Sequence, residues 1–140
     1  MYTYNVEVTR VVDGDTIDVD VDLGFGMIYK KQRVRMMGID TPESRTRDLE
    51  EKFYGKQSKY FLENLLDGEK VSLVSHDKGK FGRILGELFI NGDFSKSVNQ
   101  IMIDSFHAVP YYGDSKELTE EHHMSNRREL NEQGIIYQAE

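Results

Sequence analysis

The stretch Val12-Asp13-Gly14-Asp15-Thr16-Ile17-Asp18-Val19-Asp20-Val21-Asp22-Leu23 decides the fold class. From Ile17 to Leu23, apolar residues alternate strictly with aspartates. A period of two sends each set of side chains to one face of an extended chain, so this segment reads as a half-buried strand with an acidic outer face. Asp13-Gly14-Asp15 before it reads as a turn, because glycine accepts positive φ and aspartate bonds to nearby backbone. Upstream, Tyr4, Val6 and Val8 alternate with Asn5, Glu7 and Thr9, which gives a first strand from Tyr2 to Val12. Downstream, Gly24-Phe25-Gly26 turns the chain into a third strand, Met27 to Gly38, carrying Lys30, Lys31, Arg33 and Arg35.

Pro42 must break that run, since it has no N–H to donate and pushes Thr41 toward extended geometry. Phe53/Tyr54, Gln57/Ser58, Phe61/Leu62 and Leu65/Leu66 then recur every four residues, an amphipathic helix ending near Asp67-Gly68 with the glycine as C-cap. Val71 to Ser75 and Arg83 to Ile90 read as strands around the turn Lys78-Gly79-Lys80-Phe81-Gly82. A second helix places Phe94, Val98, Ile101 and Met102 on one side. A third is capped by Ser115 and ended by Gly134. Three strands, a helix, two strands and two helices predict an α+β chain forming one domain over residues 1–140. Five short strands suffice for a small closed barrel, although periodicity alone leaves closure open.

The chain has 140 residues and no cysteine, which excludes disulfides, thiolate zinc sites and thiol nucleophiles together. No stretch approaches the ~20 apolar residues of a membrane span. The start, Met1-Tyr2-Thr3-Tyr4-Asn5-Val6, lacks the basic and apolar regions of a signal peptide, so a cytoplasmic location with no membrane partner is expected. Eighteen basic and 25 acidic residues give a formal net charge of −7. Such a balance argues against charge-driven coating of nucleic acid, so any nucleic-acid function rests on a local site.

Asp15 and Asp40 each stand where a strand meets a turn. Two carboxylates with a backbone carbonyl make an oxygen-only site for a hard cation, water completing the shell; either aspartate alone also serves as an ordinary turn residue. Asp18, Asp20 and Asp22 have the first spacings of an EF-hand loop, but its glycine position is Leu23 and its glutamate position is Tyr29, so they read as a solvated strand face. Glu43, fixed behind Pro42 and three residues from Asp40, can act as a general base on water or remain a surface acid. Arg35 and Arg83 offer forked donors for phosphoryl oxygens, or pair with surface carboxylates. His76, His107, His122 and His123 show no zinc spacing and read as structural or solvent-facing.

Three ordered motifs, Val12-Asp13-Gly14-Asp15-Thr16-Ile17, Arg35-Met36-Met37-Gly38-Ile39-Asp40-Thr41-Pro42-Glu43 and Lys80-Phe81-Gly82-Arg83, together closely resemble the staphylococcal nuclease (thermonuclease) family. The resemblance runs from about Tyr4 to Tyr137. It implies a five-stranded Greek-key barrel of the OB type with three helices, and a Ca²⁺-dependent phosphodiesterase acting on DNA and RNA as a monomer. By position it makes Asp15, Asp40 and the Thr41 carbonyl the metal ligands, with Asp13 a supporting acid. Glu43 would activate or orient water, and Arg35 and Arg83 would hold the phosphate. Lys80, Phe81 and Tyr111 would bind substrate.

The chain departs from the family where Phe81 stands for a tyrosine, which removes a phenolic hydroxyl from a terminal phosphate, and where Tyr112 and Gly113 alter an aromatic pattern beside the base. Altered stacking changes affinity and preference more than chemistry. Ser44-Arg45-Thr46-Arg47 is basic and either steers substrate or is simply exposed. The alternative is a non-catalytic OB-type module binding nucleic acid or protein, since a fold does not fix a function. A calcium-binding regulator built on the aspartate-rich second strand is a third reading.

Overall fold

The computed structural model describes residues 2–78 and 82–139. In chain order it has strands β1 (Tyr2–Asp13), β2 (Thr16–Gly24), β3 (Met27–Met36) and β4 (Ile39–Asp40), then helix α1 (Leu49–Leu66). Strands β5 (Val71–Lys78) and β6 (Ile84–Ile90), helix α2 (Val98–Asp104), strand β7 (Val109–Pro110) and helix α3 (Lys116–Glu132) follow. Five strands close into a barrel in the order β1-β2-β3-β6-β5, with β5 returning to β1. Val34 to Met36 run parallel to Ile84 to Gly86, and the other barrel pairings are antiparallel. The fold is the expected α+β, OB-type barrel with three helices.

Closure depends on β1 serving two neighbours. Val6 pairs with Val21 of β2 and with Val71 of β5. Irregularities between Val8 and Arg10 and between Val11 and Asp13 break the even ladder. Such bulges bend a strand and increase its twist, as a small barrel requires. The inward residues Ile17, Val19, Val21, Val34, Met36, Leu73 and Leu88 fill the barrel, and Leu62 and Leu66 of α1 with Val98 and Met102 of α2 extend the same core.

The alternation in β2 buries Ile17, Val19 and Val21 as expected, but Leu23 is exposed. The end of the β2–β3 hairpin lies beyond the pairing of β1 with β2, and Leu23, Phe25 and Met27 there are exposed. The outer aspartates are engaged locally. Asp18 accepts two hydrogen bonds from Arg33, Asp20 accepts one from the Lys31 N–H, and Asp22 accepts one from the Gly24 N–H. That accounts for the row without a cation.

Helix α1 begins one turn before its apolar repeat. The Asp48 carboxylate accepts from the N–H groups of Glu50 and Glu51, and Gly68, at φ +71°, follows the C-cap. Phe94 lies outside α2, which starts after its cap Ser97; the Phe94 ring instead packs 4.9 Å from that of Phe89. Ser115 caps α3 as expected. Among the described residues no helix is long and apolar enough to cross a membrane.

Candidate active site

The site is assembled where the β1–β2 turn, the segment after β4 and helix α1 crowd together. A Cβ on Gly14 would lie 2.8 Å from the Ser58 Cβ and 3.1 Å from the Thr41 methyl. The turn therefore needs glycine for closeness, while its φ lies outside the left-handed region. Close packing against α1 buries Asp15 and Thr41. Asp13 accepts hydrogen bonds from both the N–H and the hydroxyl of Ser44, tying the loop after Pro42 to the end of β1.

Asp15 Oδ1 accepts from the Thr16 hydroxyl at 2.8 Å, and Oδ2 from the Thr41 N–H at 3.2 Å. Arg35 Nη2 lies 3.5 Å from Asp15 Oδ2 and 3.7 Å from Asp40 Oδ1. The guanidinium is anchored by Nη1 donating to the Met36 carbonyl at 2.9 Å. Burial pushes the Asp15 carboxyl above the usual range, against the opposing pull of Arg35 and the Thr16 hydroxyl; the Asp40 charge adds to the rise.

Asp40 is brought here by a two-residue pairing in which Ile39 faces Pro110 and Asp40 faces Val109. The same connection places Tyr111, whose N–H donates to the Gly38 carbonyl at 2.8 Å. Arg35, Asp40, Thr41, Glu43 and Tyr111 line one cleft of about 610 Å³, together with Asp48 and Glu51 of the α1 start and residues of α3. Glu43 is exposed at this cleft. Among the described residues six carboxylates line it, those of Asp40, Glu43, Asp48, Glu51, Asp114 and Glu120, beside the cationic Arg35, Lys116 and Arg127.

Arg83 stands just before β6, next to Ile84, which pairs with Val34, the neighbour of Arg35. Among the described residues it does not line this cleft. Lys80 and Phe81 lie outside the described residues. Arg45 and Arg47 are exposed on the loop leading to α1.

His123 of α3 is the residue that sequence reasoning missed. Its Nε2 lies 2.8 Å from Asp40 Oδ2, and the side chain is largely buried. No spacing could signal a partner 83 positions away. The other expectation for histidines holds at His107, a buried ring stacked 4.5 Å from Phe61, whose pKa burial lowers to about 4.

The donors here suit a hard cation. Among the described residues no three His, Cys, Asp or Glu side chains converge as a metal group. A cation at this place would therefore rest on the two carboxylates that share Arg35, a backbone carbonyl and water. Oxygen-only donors of this kind are those of Ca²⁺ rather than of a thiolate or imidazole metal. The Thr41 hydroxyl is buried and has no hydrogen-bond partner among the described residues, a further oxygen at the same place.

Comparison with known proteins gives a consistent answer. The model of a family described as staphylococcal nuclease homologue matches residues 33–133. The chain is 37% identical over 114 residues to an uncharacterized protein of Bacillus anthracis, covering 79% of this chain and 49% of that protein. It is 37% identical over 86 residues to the thermonuclease of Staphylococcus hyicus, covering 60% of this chain and 47% of that protein. An uncharacterized endonuclease of Escherichia coli is 33% identical over 96 residues, covering 69% of this chain and 54% of that protein. The chain spans about half the length of these curated relatives.

Proposed function

Because the chain belongs to the staphylococcal nuclease family, we propose that its cleft hydrolyses phosphodiester bonds of DNA or RNA with the help of Ca²⁺. The observation that carries this reading is Arg35 standing 3.5 Å from Asp15 and 3.7 Å from Asp40 in a cleft also lined by Glu43. A phosphate-matching cation, Asp40 and a candidate base line one cleft, and the buried Asp15 reaches the same cation.

Asp15, Asp40 and the Thr41 carbonyl would hold the ion. When bound, Ca²⁺ supplies charge that offsets the phosphate and orients water. The chain's own groups do the rest. The Glu43 carboxylate takes a proton from the attacking water as the water oxygen bonds to phosphorus and an ester P–O bond breaks, the leaving oxygen taking a proton from solvent. Arg35, fixed by the Met36 carbonyl, directs its remaining donors at oxygens on which negative charge grows. A preorganised donor of that kind contributes about 2.7–4 kcal/mol to the transition state. Arg83, from the segment just before β6, is assigned the second guanidinium. Asp13 holds the Glu43 loop through Ser44, which makes it a supporting acid. Tyr111, on the cleft wall, offers a face for a base.

The test is cleavage of single-stranded DNA by wild type and Glu43→Gln, each with Ca²⁺ and with EDTA. Cutting only by the wild type with Ca²⁺, with the variant slower by roughly 10²-fold or more, is expected. Equal cutting in all four reactions refutes the reading, and tight strand binding without turnover under any divalent metal favours the binding module instead.

A further inference from the structure

We propose that His123 is a positioning residue that fixes the Asp40 carboxylate for cation binding; this rests on the reading of the cleft as a Ca²⁺-dependent centre. A carboxylate only accepts hydrogen bonds when ionised, so the 2.8 Å contact requires His123 Nε2 to carry a proton and donate it to Asp40 Oδ2. One oxygen of Asp40 is thereby occupied from α3. The other, Oδ1, is left on the side of Arg35 and Asp15.

Asp40 needs such support. It sits in a strand of two residues, and its side chain is about a third exposed, at 32%. The terminal torsion of an aspartate is broad, so without a partner the plane of the carboxylate would turn over a wide range. Asp15 is held differently, by the hydroxyl of its neighbour Thr16 and by the Thr41 N–H. Each acid of the pair thus has its own orienting donor, and the donor for Asp40 comes from a separate element.

That element is firmly seated. Asn126 of α3 donates to the Ala108 carbonyl at 2.9 Å, next to the Val109 that pairs with Asp40. Arg127 reaches Glu50 at the start of α1, and its guanidinium lies 5.0 Å from the centre of the Tyr54 ring. The imidazole is therefore delivered by a helix tied both to the strand opposite Asp40 and to α1. Side chains that orient a metal-binding carboxylate typically change metal affinity by about 10–100-fold when removed.

Calorimetric titration of the whole chain with Ca²⁺ alone tests this, with thermal melts alongside. His123→Leu removes the donor and is expected to weaken Ca²⁺ binding by about tenfold or more. In His123→Gln the amide nitrogen falls near the position of Nε2, so binding within about threefold of wild type is expected, a rescue that simple filling of space does not give. His123→Asn is too short to reach and should bind as weakly as the leucine variant, which covers the case in which leucine disturbs the helix. Unchanged affinity in folded His123→Leu, or a folded His123→Gln as weak as His123→Leu, overturns the proposal while leaving the nuclease reading intact. A wild-type chain that takes up no Ca²⁺ overturns the reading of the centre itself, and this proposal with it.

Discussion

Gly55 of α1 lies so close to Glu43 that a Cβ on it would sit 2.3 Å from the Glu43 carbonyl oxygen and 2.6 Å from the Ser44 nitrogen. The helix gives up intrinsic stability at this position, since alanine outranks glycine by about 0.8–1.0 kcal/mol in a helix interior. In return the backbone carrying Glu43 lies directly on the helix, and the obstructing atoms are backbone that cannot swing aside.

Gly55→Ala should therefore act on the site more than on the fold. The added methyl forces the Glu43 segment off α1, and a displacement near 1 Å costs about 10²-fold in rate when it moves a reacting group. Steady-state cleavage at saturating substrate, compared with far-ultraviolet circular dichroism, checks this. Retained helicity with a strongly reduced kcat is expected; an unchanged kcat would mean that the loop position is not used.

Asp15 carries a cost in stability that follows from its burial. Its pKa is raised from an ordinary 3.8, so its favourable contribution is present below that value and is lost as pH rises through the raised one. Above the raised value the ionised group opposes folding. Asp15→Asn should melt higher than wild type in EDTA at pH above the raised value, with the gap shrinking as pH falls toward about 4. Asparagine can keep both contacts, its oxygen accepting from the Thr41 N–H and its amide donating to the Thr16 hydroxyl. Added Ca²⁺ should raise the melting temperature of wild type and leave that of the variant nearly unchanged.

His107 acts in the opposite sense. Burial lowers its pKa from 6.5 to about 4, so the stability it contributes is complete above 6.5 and is lost as pH falls through about 4. Up to about 3 kcal/mol is at stake in that window. Urea unfolding near pH 7 and near pH 5 should show a steeper loss for wild type than for His107→Phe, which keeps a ring against Phe61 and removes the titrating nitrogens. Equal losses would assign acid sensitivity elsewhere.

The cleft is acidic for one proposed to take a polyanion. Raised salt should slow cleavage, because capture of a phosphate chain by Arg35, Arg45 and Arg47 is electrostatic. Glu51→Gln combined with Glu120→Gln removes two of the six lining carboxylates. That pair should raise kcat/KM several-fold at low ionic strength, with the advantage fading at high salt. An advantage that persists in high salt would point to packing rather than charge.

Much of this molecule is legible in its sequence because the signals are local. The Ile17–Val21 alternation and the Ser115 cap each depend on a few neighbouring residues and correspond to a real strand and cap. The third strand, by contrast, ends at Met36, before Gly38 at φ +80°, and Ile39–Asp40, expected to break it, form a strand of their own. The motif residues Asp15, Arg35, Asp40, Thr41 and Glu43 are brought into or beside one cleft. What escaped is long-range. The β4–β7 pairing has two residues per strand, too few for any period. The His123–Asp40 contact spans 83 positions. Leu23 fits the alternation perfectly and is still exposed, because whether the barrel or solvent faces a strand end is decided by where its neighbours stop. Phe94 likewise has a helical spacing and packs outside the helix, on Phe89.

The central claim is that the buried Asp15 carboxylate is kept, against its cost to the fold, because it holds the cation used in cleavage. The direct test is the initial rate of single-stranded DNA cleavage by Asp15→Asn and wild type at saturating Ca²⁺, on protein shown by melting to be folded. The account predicts a variant at least as stable as wild type that cuts about 10²-fold more slowly or worse. A folded Asp15→Asn protein that cuts at the wild-type rate would contradict it.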